Sequence, residues 1–329
     1  LYIVENVYPK IDALNVEPCR KVIQDAFEQN ITHAPGMEHV REMVTGPIIP
    51  TPGAVMECTK LLYEYLGDLI VLDVGGATTD LHSVTVESDQ VARLMISPEP
   101  KAKRTVEGDL GVYVNRWKVV ESIGEEKLRE QCREQGFSME HALETYRAIP
   151  KTEEEVKLVE LLTREAVVKA AERHAGRLRY IYGPSGRSTV AEGKDLTQVK
   201  YIVGTGGALT RLPHREEIMR EITRCNESGM LLLPGEHAQI LVDHDYIMAS
   251  LGVLSKRYPQ AAARLLEQSL GITFPERKAE EPVPVCNKEL SRLETQRQQR
   301  EEELQRHIEE CEAMGYDMSA YRENKPKAG

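Results

Sequence analysis

The eight residues Asp73-Val74-Gly75-Gly76-Ala77-Thr78-Thr79-Asp80 combine the groups that hold a phosphate and its metal ion. Two glycines in a tight turn carry no Cβ, so the amides of Gly75 and Gly76 can close on an anion. Asp73, just before the turn, suits the water shell of Mg²⁺, which prefers carboxylate and phosphate oxygens. Thr78 or Thr79 can donate a hydroxyl to a phosphate oxygen, and Asp80 closes the segment. The competing reading is a plain hairpin with incidental threonines. Both threonines, Asp80 and the apolar runs on either side favour phosphate.

A second glycine turn follows an apolar run at Ile202-Val203-Gly204-Thr205-Gly206-Gly207-Ala208-Leu209. Gly204, Gly206 and Gly207 would let a ligand lie against backbone, as nucleotide-binding turns do. Alone the signal is weak, because many glycine turns only join a strand to a helix. Other candidates carry less. Asp80-Leu81-His82 opens like a DxHxxG cobalamin motif, but position 85 is Thr, so His82 reads as a strand residue. His33 and His39 are six apart, not a helical metal-pair spacing. Gly183–Ser188 reads as a turn, and Trp117 as a core residue.

The elements that must position these residues follow from periodicity. Residues 1–8 read as a strand and 17–30 as a helix. A helix ending at Leu66 has Pro52 in its first turn and Thr51 as its cap. Leu69–Val74 is a nearly continuous apolar run, the sign of a strand buried on both faces. Leu81–Val86 and Val91–Ile96 complete an expected three-strand meander, with a helix beginning within 106–118. Residues 123–174 read as two or three amphipathic helices broken near Gly136 and Pro150. Lys200–Val203 reads as a strand, 214–224 as a helix, and 245–256 as an apolar helix with small residues Ala249, Ser250 and Gly252. Residues 276–286 read as a linker and 288–313 as a charged helix with a thin apolar stripe.

Composition narrows the class. The 329 residues carry 42 Lys+Arg against 53 Asp+Glu, a net charge of −11. Without a basic tract, nucleic-acid binding is disfavoured, since it needs clustered cations to displace counterions. No apolar run approaches the ~20 residues of a membrane span, and the opening residues do not read as a signal peptide. Six scattered cysteines without a CxxC fit a reducing, cytoplasmic setting. Leu1 in place of Met suggests a chain cut from something longer.

The two glycine signals, in this order, resemble the actin-like ATPase superfamily, with its DxGGxTTD phosphate loop and glycine-rich adenosine turn. The segments 50–62, 73–84, 104–116, 193–212 and 231–255 together resemble the MutL/GlmL family, accessory proteins of adenosylcobalamin-dependent mutases such as glutamate (methylaspartate) mutase and the aminomutases. The mismatch-repair protein of the same name is a different fold, and its DNGxG turn is absent from this sequence.

The resemblance implies an α/β fold of actin-like, ribonuclease-H-like topology. Residues 1–68 would be a remnant of lobe one. Residues 69–275 would form lobe two, with a helical insertion at 120–175 and an interlobe helix at 245–256. Residues 276–329 would be the linker and charged tail. The superfamily's first phosphate loop would precede residue 1. ATP and Mg²⁺ are the implied cofactors, and mutase subunits the partners. By motif, Asp73 would organise Mg²⁺ through water. Gly75, Gly76, Thr78, Thr79 and Asp80 would hold phosphate, and Gly204, Thr205, Gly206 and Gly207 the adenosine. Glu107, or its neighbour Asp109, would position a water or contact the nucleotide, although a helix N-cap cluster reads equally well. Asp245 sits near the cleft or caps a helix. The implied function is a chaperone-like reactivating factor that uses ATP to promote release of damaged cobalamin from a mutase. A small-molecule kinase, an ATP-driven hydrolase of the same superfamily, and a non-catalytic assembly protein stay open. So do the oligomeric state and whether ATP is hydrolysed.

Overall fold

The structure, a computed structural model, describes residues 2–9, 37–44 and 48–275 apart from 98, 184–185 and 227, together with isolated positions between 15 and 30. The linker and charged tail expected after 275 lie outside the described residues, as does most of the helix expected at 17–30.

The first helices are α1 (Met37–Met43) and α2 (Thr51–Leu66). Strands β1 (Leu69–Val74) and β2 (Thr79–Val84), helix α3 (Asp89–Ala92) and strand β3 (Ala102–Glu107) follow. Next come α4 (Arg116–Ile123), α5 (Glu125–Glu134), α6 (Met139–Glu144) and the long α7 (Glu153–His174). Strands β4 (Arg177–Gly183) and β5 (Gly186–Glu192) precede β6 (Tyr201–Thr205), α8 (Gly206–Arg211) and α9 (Arg215–Arg220). The last described elements are β7 (Gln239–Val242), α10 (Met248–Ser255) and α11 (Pro259–Leu270).

Five strands form one mixed sheet in the order β3-β2-β1-β6-β7. The pairs β1–β2 and β2–β3 are antiparallel, whereas β1–β6 and β6–β7 are parallel. The chain is therefore an α/β protein. The central β1 is apolar throughout because both of its faces are covered. Ile70, Leu72 and Val74 join one core with Leu158, Leu162 and Ala166 of α7 and Leu209 of α8. Leu69 and Val71 join the other with Val55, Cys58 and Leu62 of α2, Met248 of α10 and Leu266 of α11. Two-residue alternation along one strand thus sorts its side chains between two helical layers.

Local chemistry sets several boundaries. Helix α7 opens on a capping box, in which the Thr152 hydroxyl accepts from the Glu155 N–H and Glu155 accepts from the Thr152 N–H. Pro52 lies in the first turn of α2, but Pro50 rather than Thr51 takes the cap position. The strand expected at Val91–Ile96 is absent. Ser88 donates to Asp195 from both its N–H (2.9 Å) and its hydroxyl (3.0 Å), and its oxygen caps α3. The chain turns there, and the third strand of the meander forms at Ala102–Glu107 instead. Residues 2–9 form no strand; Ile3 stands in solvent and no described strand pairs with them. Trp117, expected in the core, is 54% exposed on α4. Among the described residues no helix is long and apolar enough to cross a membrane.

Candidate functional site

The chain runs one way from β1 into β2 and β3, and the other way from β6 into β7. The C-terminal ends of β1 and β6 therefore border the point where connections diverge. In open α/β sheets that crevice is where ligands bind. Both glycine signals lie at it.

The first turn is tight, with the Gly75 N–H donating to the Thr78 carbonyl at 2.9 Å. Gly75 is thereby occupied in shaping the turn, while Gly76 and Ala77 stand exposed at its tip. The loop after β3 docks onto this tip. Tyr113 and Val114 donate from their N–H groups to the Gly76 carbonyl at 2.9 and 2.7 Å, and the Asn115 amide donates to the carbonyls of Ala77 and Gly108. A methyl group on Gly111 would overlap the Ala77 backbone, so the approach requires glycine. Thr79 is fully buried and its hydroxyl donates to the Leu110 carbonyl at 2.8 Å. Of the two threonines, Thr78 is the partly exposed one.

The second turn meets the first directly. Thr205 lies beside Asp73 in the parallel register. Gly206 then adopts φ +85°, which L side chains rarely take, and a Cβ there would lie 2.5 Å from Asp73 Oδ1 and 2.6 Å from the Val74 N–H nitrogen. Gly207 opens onto free space. Gly204 serves packing, since a side chain there would strike Met219.

Three carboxylates gather at these strand ends. Asp73 faces Asp80 across β1–β2. Burial, then the charge of Asp243, pushes Asp73 up to about 6. Burial, then Asp73, pushes Asp80 up to about 6. Asp80 Oδ1 is buried and makes no hydrogen bond. Asp243 is fully buried and accepts from the Thr205 hydroxyl (2.8 Å), the Ser269 hydroxyl (2.6 Å) and the N–H groups of Ile247 and Met248. The capping of α10 considered for Asp245 is thus performed by Asp243, which sequence reasoning passed over. Its signal was its place directly after the apolar run of β7. Tyr246, in the same turn, is the one described non-glycine residue with positive φ, at 56°. The charges of Asp73 and Asp243 add to burial in raising its phenol.

Glu107 lies opposite Thr79 in the β2–β3 register. Arg173, at the end of α7, donates to Glu107 at 2.6 Å and takes both oxygens of Asp109 at 2.7 and 2.8 Å. Glu107 and Asp109 therefore form an ionic clamp with Arg173, and the helix N-cap considered for them falls to Asn115. Among the described residues no group of three His, Cys, Asp or Glu side chains is placed to hold a metal ion. Mg²⁺ bound with a nucleotide does not need one, because one or two carboxylates, waters and phosphates complete its shell.

The sequence matches the MutL protein family over residues 1–270. It is 36% identical over 280 residues to Protein MutL of Clostridium tetanomorphum. The aligned region takes in 82% of this chain and 60% of that protein, so the chain spans about three-fifths of the length of the curated relative it matches.

Proposed function

The chain belongs to the MutL protein family, and on that premise we propose that it is the second lobe and interlobe helices of an actin-like ATPase that serves as an accessory factor to an adenosylcobalamin-dependent mutase. The observation that carries the reading is the contact of Gly206 with Asp73, which brings two separate glycine turns to one crevice. The 3-2-1-6-7 strand order, with only β2 antiparallel to β1, fits ribonuclease-H-like topology. So does the crossing of α2 and α10, where Gly252 lies so close to the Ala54 carbonyl that a methyl group would overlap it.

The residues suit Mg²⁺-ATP. The open backbone at Gly207 and the exposed Gly76 leave room for an anion and its cation, and the unpartnered Asp80 oxygen adds buried polarity opposite Asp73. Asp73 would organise the metal's waters, Gly76 and Thr78 would meet phosphate, and Gly206 and Gly207 would lie along the nucleoside. Bound ATP would supply the energy of its hydrolysis. Asp243 keeps Thr205 and the start of α10 fixed to the crevice, so a nucleotide-dependent shift there reaches the interlobe helices. Two states that bind a client differently are what a reactivating cycle needs.

The test is ATP turnover by the full-length gene product, with and without cobalamin-inactivated glutamate mutase. Turnover with mutase activity regained on adding fresh coenzyme supports the reading. Turnover without recovery under any mutase client removes the accessory role, and absence of turnover and nucleotide binding removes the site.

A further inference from the structure

Strands β4 and β5 pair only with each other, Arg177 opposite Glu192 through Gly183 opposite Gly186. A two-stranded hairpin is marginal by itself, and this one is secured at its base. Leu178 and Ala191 pack with Val91, Leu94, Met95 and Leu232, and short bridges join Arg177 to Leu231 and Met95 to Ala191. Beyond that base the hairpin projects as an arm. The face that begins with Leu178 and Ala191 continues outward to Tyr180, Thr189, Tyr182 and Arg187. Tyr180, Ile181 and Tyr182 are exposed, Tyr182 by 79%. Arg187 lies over the Tyr180 ring at 4.5 Å. An apolar stripe that leaves the core and runs into solvent is not needed for folding. Tyr and Arg are the residues that dominate binding hot spots.

The charge on the arm identifies what it meets. It carries Arg177, Arg179 and Arg187 against Glu192, which pairs with Arg179 at 2.6 Å, on a chain of net charge −11. Arms of two copies would repel each other, which leaves an arm on the acidic body of a second copy as the rival contact that the test separates, and the acidic body would repel nucleic acid.

We infer that the β4–β5 arm is the surface that grips the client protein, at an acidic patch with exposed apolar side chains. This rests on the accessory-factor reading above. Tyr180 and Tyr182 supply the buried anchors and the arginines supply steering.

The experiment measures binding of the full-length gene product to the mutase by calorimetry at low and high salt. The proteins compared are wild type, Tyr180→Ala/Tyr182→Ala, and Arg179→Glu/Arg187→Glu. Wild-type binding, weakened at least tenfold in each variant, is the expected result. The charge reversal should also flatten the salt dependence. Unchanged melting temperature and basal ATP turnover, which do not involve these residues, establish that the variants are folded. Wild-type binding matched within twofold by both variants overturns the arm and leaves the accessory reading standing. No wild-type binding to any mutase overturns both. Self-association lost in the variants, without mutase binding, would assign the arm to contacts between copies and overturn the inference.

Discussion

Gly206 packs against Asp73 so closely that a single methyl group would collide with the carboxylate. Residues 133 positions apart in the sequence thus share one crevice. Gly206 also needs its left-handed φ, so Gly206→Ala is expected to lose about 1–3 kcal/mol of stability. Gly207→Ala is the informative contrast. Its Cβ would meet nothing, and it lies inside α8, so the fold should hold or gain up to about 1 kcal/mol. Nucleotide affinity should nevertheless fall, because the added methyl fills the approach to backbone. Melting temperature and nucleotide titration, measured on the same samples, separate the two effects.

The two threonines of the turn divide between fold and ligand. Thr79→Val leaves the buried Leu110 carbonyl without its donor and should cost about 1–3 kcal/mol. Thr78→Val should change stability little but weaken binding of a nucleoside triphosphate. Equal effects of both on binding, with no difference in stability, would contradict this division.

Acid stability isolates the buried histidine. His82 is fully buried with both ring nitrogens lacking a hydrogen bond, and burial, then Arg104, pushes it down to about 3. The unfolded chain takes up a proton near 6.5 and the folded one does not. Stability from this group is therefore complete above pH 6.5 and falls by about 1.4 kcal/mol per unit below it. His174 is shifted in the same direction. Asp73 and Asp80, raised to about 6, act oppositely and gain stability as pH falls from 6 toward 3.8. His82→Leu should leave stability at pH 7 unchanged or improved and make its loss between pH 6.5 and 5 shallower than in wild type. Denaturant titrations across that range read the slope, and an unchanged slope would contradict the assignment.

Much of this arrangement was legible in the sequence because it is local. The apolar run of β1, the Gly-Gly turn and the breaks at Gly136 and Pro150 are each written within a few residues. What was not legible depends on distant contacts. Thr79 and Thr78 look alike until Leu110 takes one hydroxyl. Asp243 looks like any polar residue after a strand until Ser269 and Thr205 converge on it. The strand expected at Val91–Ile96 lost to a cap at Ser88 that relies on Asp195, 107 residues on. The β4–β5 arm escaped notice because Arg177–Gly183 mixes charged and aromatic residues without a clean alternation, leaving only its turn visible.

In the proposed function, the crevice at Asp73 and Gly206 binds a magnesium nucleotide. Calorimetric titration of the full-length gene product with Mg²⁺-ATP, beside Asp73→Asn and a sample with excess chelator, reads that binding. Saturable binding by wild type is expected, weakened at least tenfold by either change while the melting temperature of the unliganded protein is retained. No binding by wild type, or equal binding by Asp73→Asn, would contradict it.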